Sequence, residues 1–121
     1  MCLPGTKAAQ KLVSAEAIAC MRPDTIIVNC GRGATLDEEA MIKALQEGKL
    51  GGAVMDVATV EPLPADSPLW DMENVIITPH ISGHDDDPVN ISSIFAIFKE
   101  NLTRYLSQQP LTHVVDRTRG Y

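Results

Sequence analysis

The stretch TIIVNCGRG, residues 25–33, constrains this chain more than any other. Four residues with β-type side chains, Thr25, Ile26, Ile27 and Val28, run into the polar, glycine-bearing turn Asn29-Cys30-Gly31-Arg32-Gly33. A short apolar run that ends this way is how a buried parallel strand delivers its carboxyl end into a cleft. In open α/β sheets, ligands bind in the crevice outside those carboxyl ends. Arg32 stands between two glycines there. Its planar fork suits bidentate capture of a carboxylate or phosphate, and the glycines let backbone and ligand approach closely. A surface arginine in a tight turn fits the same residues, so the rest of the chain has to decide.

The flanking sequence alternates helix and strand signals. Ser14 can cap a helix over residues 15–21, with Glu16 in its first turn, and Pro23 ends it. After the strand at 25–28, Asp37 is a second cap, followed by Glu38 and Glu39. Met41, Ile42, Ala44 and Leu45 then make one apolar face, and Gly48 stands where a left-handed C-terminal residue belongs. Residues 52–57 read as a second buried strand, 63–69 as a proline-rich loop without periodicity, and 74–78 as a third strand. Asp87-Pro88 opens a helix whose apolar residues Ile91, Ile94, Phe95, Phe98, Leu102, Tyr105 and Leu106 recur on one face. That helix makes about five turns and is followed by an extended, polar tail from Pro110. Met1 to Leu3 reads as the end of a further strand, stopped by Pro4-Gly5. Strands alternating with helices over short connections predict an α/β fold with a parallel sheet.

All three complete strands end in polar residues: Asn29 to Arg32, then Asp56, then His80. In a parallel sheet those ends share one edge, so residues far apart in sequence converge. With Glu61 five residues beyond Asp56, the edge offers a fixed cation, two carboxylates and an imidazole. An imidazole beside a carboxylate is held in one tautomer, as a general acid/base near neutral pH requires. Such a set suits proton transfer at an oxygen next to a carboxylate. Each residue also has a plainer reading: His80 as a structural histidine, Asp56 as a turn or cap residue, Cys30 as a small residue where backbone passes a ligand or as a thiol activated by Arg32. The run His84-Asp85-Asp86-Asp87 reads as a metal site or, more simply, as capping and macrodipole chemistry at a helix start.

Composition narrows the class. The chain has 121 residues, enough for one domain with a core, is 45% hydrophobic and 21% charged, and carries a net charge of -6. An acidic balance argues against a nucleic-acid surface, which needs clustered Lys and Arg. No apolar run approaches a membrane span, so neither nucleic acid nor membrane is an expected partner. Three cysteines without paired spacing or a histidine cluster predict neither a disulfide framework nor a zinc site, and point to a reducing, cytoplasmic compartment.

The order NCGRG, then GKLGGAVMDVATVEPLPADSPLW, then NVIITPHISG resembles the carboxyl-side signature of the NAD(P)-dependent D-2-hydroxyacid dehydrogenases. That family's pattern is N-x-x-R-G, D-V-x-x-x-E-P and P-H-I, and LPGT resembles its L-P-x-T turn. The ending VVDRTRGY is similar to the glyoxylate/hydroxypyruvate reductase branch. The resemblance implies that Arg32 binds the 2-oxo acid's carboxylate and carbonyl oxygen, that His80 gives or takes the proton, and that Glu61 is its partner. It implies that Asp56 contacts the nicotinamide carboxamide of NAD or NADP. Leu3, Pro4, Thr6, His80, Gly83 and the backbone of Cys30, Gly31 and Arg32 would line the cofactor. The family's G-x-G-x-x-G turn and its NAD/NADP-selecting residue do not occur in this sequence. The resemblance therefore implies a fragment: the second mononucleotide half of a Rossmann-like domain, with residues 88–121 a helix and tail returning toward a substrate domain. The full-length protein would be a homodimer acting on a small 2-oxo or 2-hydroxy acid.

Two other readings compete. One is a cofactor-sensing interaction protein on the same scaffold, since fold alone never excludes it. The other is a receiver-type domain with Asp56 as phosphate acceptor, which needs an acidic pair after the first strand where this chain has Asn29-Cys30-Gly31-Arg32.

Overall fold

A computed structural model describes residues 1–84 and 86–121 and divides the chain into two units, Met1–Ser82 and Gly83–Tyr121. The first is built on a parallel sheet of three strands in the order β1 (Ile26–Asn29), β2 (Gly52–Met55), β3 (Val75–Ile77). Ile26 pairs with Gly52 and Asn29 with Met55, while Ala53 pairs with Val75 and Met55 with Ile77. This register brings the carboxyl ends of the strands to one edge. Helix α1 (Ala15–Ala19) precedes β1, and α2 (Glu38–Gln46) connects β1 to β2.

The caps expected from sequence form. The Ser14 hydroxyl accepts from the Ala17 amide at 3.3 Å, and the Asp37 carboxylate accepts from Ala40 at 3.2 Å. Each satisfies an amide that the first helical turn leaves without a partner. Gly48 closes α2 with φ of +66°, a conformation that glycine adopts without a side-chain clash. The helices lay Ile18, Met41, Ala44 and Leu45 against Ile27, Ala53 and Met55, with Leu36, Leu50 and Leu69 completing the core.

One expectation changes. The run at 25–28 predicts a strand buried on both faces, but β1 alternates: Ile27 and Asn29 are buried, whereas Ile26 is 62% and Val28 44% exposed. α1 and α2 cover one face, and among the described residues of this unit nothing covers the other. Residues 63–69 do not remain irregular throughout either. A 3-10 turn over Pro68–Asp71, capped by Ser67, drops Leu69 into the core. Two more such turns, at Lys7–Ala9 and Gly33–Thr35, flank the chain's early loops.

In the second unit, α3 (Pro88–Leu106) starts from an Asp87 cap that accepts from the Val89 amide at 2.7 Å. Asn101 ties the tail back by exchanging hydrogen bonds with the Thr112 amide and carbonyl. No residue of α3 is buried. Among the described residues no helix is long and apolar enough to cross a membrane.

Candidate active site

The turn after β1 shows why N-x-x-R-G needs those residues. Asn29 is fully buried; its side-chain oxygen accepts from the Gly31 amide and its side-chain NH2 donates to the Arg32 carbonyl, both at 3.2 Å. The Thr35 hydroxyl donates to the same carbonyl at 2.7 Å. This local network bends the chain sharply at the sheet edge and fixes the backbone of Arg32. Gly33 has to be glycine, because a Cβ there would lie 1.9 Å from the Ala58 carbonyl oxygen. A Cβ on Gly31 would lie 2.8 Å from the Leu3 amide nitrogen. Both glycines exist to let separate stretches of backbone pass.

Arg32 points outward from this turn. Its Nη1 donates to the Gly31 carbonyl at 2.8 Å, and its stem passes over Gly5, whose Cβ would meet Arg32 Cγ at 3.2 Å. The side chain makes no ion pair among the described residues, so most of the guanidinium's donors are open to an anion. Leu3, Pro4, Thr6, Cys30, Gly31 and Arg32 are thus gathered on one stretch of the edge.

Across the edge, His80 Nδ1 lies 2.9 Å from Glu61 Oε2. The other Glu61 oxygen accepts from the Ala58 amide at 3.0 Å, which orients the carboxylate. The Glu61 carboxyl is held below its ordinary range, first by the His80 hydrogen bond and then by the Ala58 amide. The charges of His80 and Arg32 add to this, against the opposing effect of burial. A carboxylate at Nδ1 places the ring proton there and leaves Nε2 to exchange protons with a ligand. His80 itself has φ of +55°, a left-handed backbone that few non-glycine residues adopt.

Asp56 follows β2 directly and lines the same cavity as Glu61 and His80. It is 3% exposed, and its oxygens accept from the Thr78 hydroxyl, the Ile81 amide and the Ser82 amide, the last two at 2.9 Å. Burial opposes its charge most strongly, yet the Ser82 and Thr78 side chains and the two amides together hold its carboxyl well below the usual range. A carboxylate has about four acceptor positions. The loop carrying His80 takes up nearly all of them, so Asp56 fixes that loop. The same geometry removes the receiver-type reading, in which this carboxylate has to be accessible to a phosphoryl donor. Gly83 belongs to the second unit. In the run from His84 to Asp87, Asp87 caps α3 and Asp85 lies outside the described residues; among those described, no three His, Cys, Asp or Glu side chains gather to hold a metal ion.

Two residues that sequence reasoning passed over complete the site. Thr78 anchors Asp56, and only its place at the end of a strand beside His80 signals it. Trp70, the single tryptophan, donates its indole N–H to the Pro64 carbonyl at 2.9 Å. With Met55, Leu63, Leu69 and Pro79 it walls an apolar cavity of about 660 Å³ that reaches Glu61 and His80.

Known proteins resemble this chain in sequence and fold. Residues 1–82 match the family described as D-isomer specific 2-hydroxyacid dehydrogenase, NAD binding domain. Glyoxylate/hydroxypyruvate reductase B of Pectobacterium carotovorum is 48% identical over 79 residues, which are 65% of this chain and 25% of that protein. The D-isomer specific 2-hydroxyacid dehydrogenase of Xanthobacter autotrophicus, solved with NADPH and MES, superposes with a TM-score of 0.85 at 37% identity. That match covers 99% of this chain and 48% of the other. The NADPH-dependent glyoxylate/hydroxypyruvate reductase of Sinorhizobium meliloti, solved with NADP and sulfate, gives the same TM-score at 33% identity, covering 99% of this chain and 38% of the other. The chain thus spans between a quarter and a half of the length of these relatives. With the family matched over 82 of its 121 residues, the chain belongs to the D-isomer specific 2-hydroxyacid dehydrogenases, in their NAD-binding domain.

Proposed function

We propose that this chain supplies the substrate-anchoring and proton-transfer residues of an NAD(P)-dependent reductase of small 2-oxo acids such as glyoxylate or hydroxypyruvate. The observation that carries the proposal is the His80–Glu61 pair at 2.9 Å, with Arg32 exposed in the turn after β1 and without an ion pair among the described residues. Arg32 binds the substrate's carboxylate and carbonyl oxygen through its fork, which a point charge cannot do. His80, held through Nδ1 by Glu61, gives a proton from Nε2 to the carbonyl oxygen in reduction and takes it back in oxidation. Glu61 keeps the ring oriented through Nδ1. Asp56 acts through the loop it pins.

The residues present fit the nicotinamide end of a dinucleotide. The close passage of Leu3 and Gly31 and the exposed Leu3 and Pro4 give an apolar ledge beside polar backbone. Leu3, Pro4, Thr6 and the backbone of Cys30 to Arg32 would hold the ring, with His80 as a further contact. When bound, nicotinamide supplies a hydride to the substrate's C2 or accepts one from it. Two of the related structures hold NADPH or NADP, so either NAD or NADP is in scope. The proposal extends to a homodimeric full-length enzyme, a second unit that packs toward a substrate domain, and a cytoplasmic setting in keeping with three free thiols.

A graft tests this. Residues 1–82 replace the matching segment of the Pectobacterium reductase, and hydroxypyruvate reduction is followed in the chimera. Arg32→Lys in that chimera is expected to lower kcat/KM roughly 10–10²-fold, the size of one or two hydrogen bonds to a charged group. Glu61→Gln is expected to lower kcat in the chimera roughly 10²-fold or more, because the amide no longer fixes the imidazole tautomer that presents Nε2 to the substrate. An unchanged kcat contradicts the pairing.

A further inference from the structure

Met1 donates its amino group to the Val28 carbonyl, and its own carbonyl accepts from the Cys30 amide at 3.0 Å. These two bonds are those of a parallel ladder in which Met1 sits opposite Asn29. The next residues in register are Cys2 and Cys30. An independent contact agrees with this placement: a Cβ on Gly31 would lie 3.2 Å from Cys2 Cα and 2.8 Å from the Leu3 nitrogen. Neighbouring strands run about 4.8 Å apart, within the roughly 4.4–6.8 Å that a disulfide spans between Cα atoms. Register partners present their side chains to the same face. Alternation after buried Asn29 carries Cys30 to the open face that holds Ile26 and Val28. Cys2 is exposed and Cys30 half-buried, and Cys2 lies outside the regular strands, so its backbone is free to close the remaining gap between the sulfurs. The third cysteine, Cys20, ends α1, whose Ile18 packs on the covered face.

We propose that Cys2 and Cys30 form a thiol–disulfide site, reduced at rest and closed by a low-molecular-weight disulfide into an intramolecular cross-strand bond. The exposed Cys2 thiolate attacks one sulfur of the oxidant and expels the other as a thiolate, leaving a mixed disulfide. The Cys30 thiolate then attacks the Cys2 sulfur and expels the second small thiolate. Two protein thiols lose two protons and two electrons, and one small disulfide becomes two thiols. The new bond ties the Cys2–Leu3 segment to the turn that carries Arg32.

The test treats the reduced 121-residue chain with oxidised glutathione, blocks free thiols and maps the tryptic peptides without reduction. Because trypsin does not cut between Arg22 and Pro23, Cys20 and Cys30 stay in one peptide, so Cys20→Ser is mapped beside the parent. The expected result is a Cys2-to-Cys30 link in both proteins. In Cys30→Ser the link is lost and glutathione remains on Cys2, with circular dichroism unchanged. Glutathione on Cys2 and Cys30 separately in one molecule, a covalent dimer through Cys2, or a link that survives Cys30→Ser would each overturn the proposal.

Discussion

Asp56 and Gly33 are the two residues on which the site's backbone depends. Asp56 is charged and buried, with its carboxyl held well below the ordinary range by donors from Thr78, Ile81 and Ser82. A carboxyl with a depressed folded-state pKa contributes stability that is complete above its unfolded value, near 3.9, and is lost as pH falls below it. Asp56→Asn turns one acceptor into a donor facing amides and is expected to destabilise the chain at pH 7 by roughly 2–3 kcal/mol. Urea titrations at several pH values should show the variant's stability flatter than the parent's between about pH 5 and 2. An equally steep acid loss in both would mean that Asp56 is not the group responsible. Gly33→Ala sets a methyl 1.9 Å from the Ala58 oxygen, which only a backbone shift relieves. A loss of more than about 3 kcal/mol, or failure to fold, is expected from that overpacking; a melt like the parent's would contradict the close approach. From sequence, glycines on both sides of Arg32 read as room for a ligand. In the structure they are room for backbone, and the ligand-facing surface is the arginine itself.

At the scale of elements, the helix starts were legible because capping is local chemistry. Ser14, Asp37 and Asp87 each accept from an amide two or three residues on. Asp37 also pairs with Lys11 at 2.9 Å, with Lys11 largely exposed. Asp37→Ala is therefore expected to lose about 1–2 kcal/mol in a urea titration, nearly all of it the cap. Strand positions were legible for the same reason, being apolar runs between turn signals. What the sequence did not reveal was non-local or aperiodic. The 3-10 turns at Gly33–Thr35 and Pro68–Asp71 are too short to leave a repeat. Whether Ile26 and Val28 are covered depends on packing against other elements, which a four-residue apolar run does not encode. Asp56 was visible as a strand-end carboxylate, but its burial under residues 78–82 follows from the fold of a loop 22 to 26 residues away.

At the scale of the molecule, each of the two units taken by itself carries an exposed apolar surface. One is the sheet face with Ile26, Val28 and Ile76; the other is the row Ile94, Phe95, Phe98, Leu102 and Tyr105 on α3. Apolar patches of this kind drive association. The sequence also holds no G-x-G-x-x-G turn, the element that sets a helix N-terminus against a dinucleotide's pyrophosphate. The 121-residue chain by itself is accordingly expected to self-associate in size-exclusion chromatography, to leave NADPH fluorescence nearly unchanged and to give no steady turnover. Turnover by the chain alone would contradict this. The central claim, that His80 is the proton-transfer residue anchored by Glu61, is tested most directly in the reductase chimera carrying residues 1–82. His80→Gln there should lower kcat for hydroxypyruvate roughly 10²–10⁴-fold, the usual contribution of a general acid/base, with the fold and NADPH binding retained. A folded, cofactor-binding His80→Gln chimera that keeps the kcat of its parent would contradict the account.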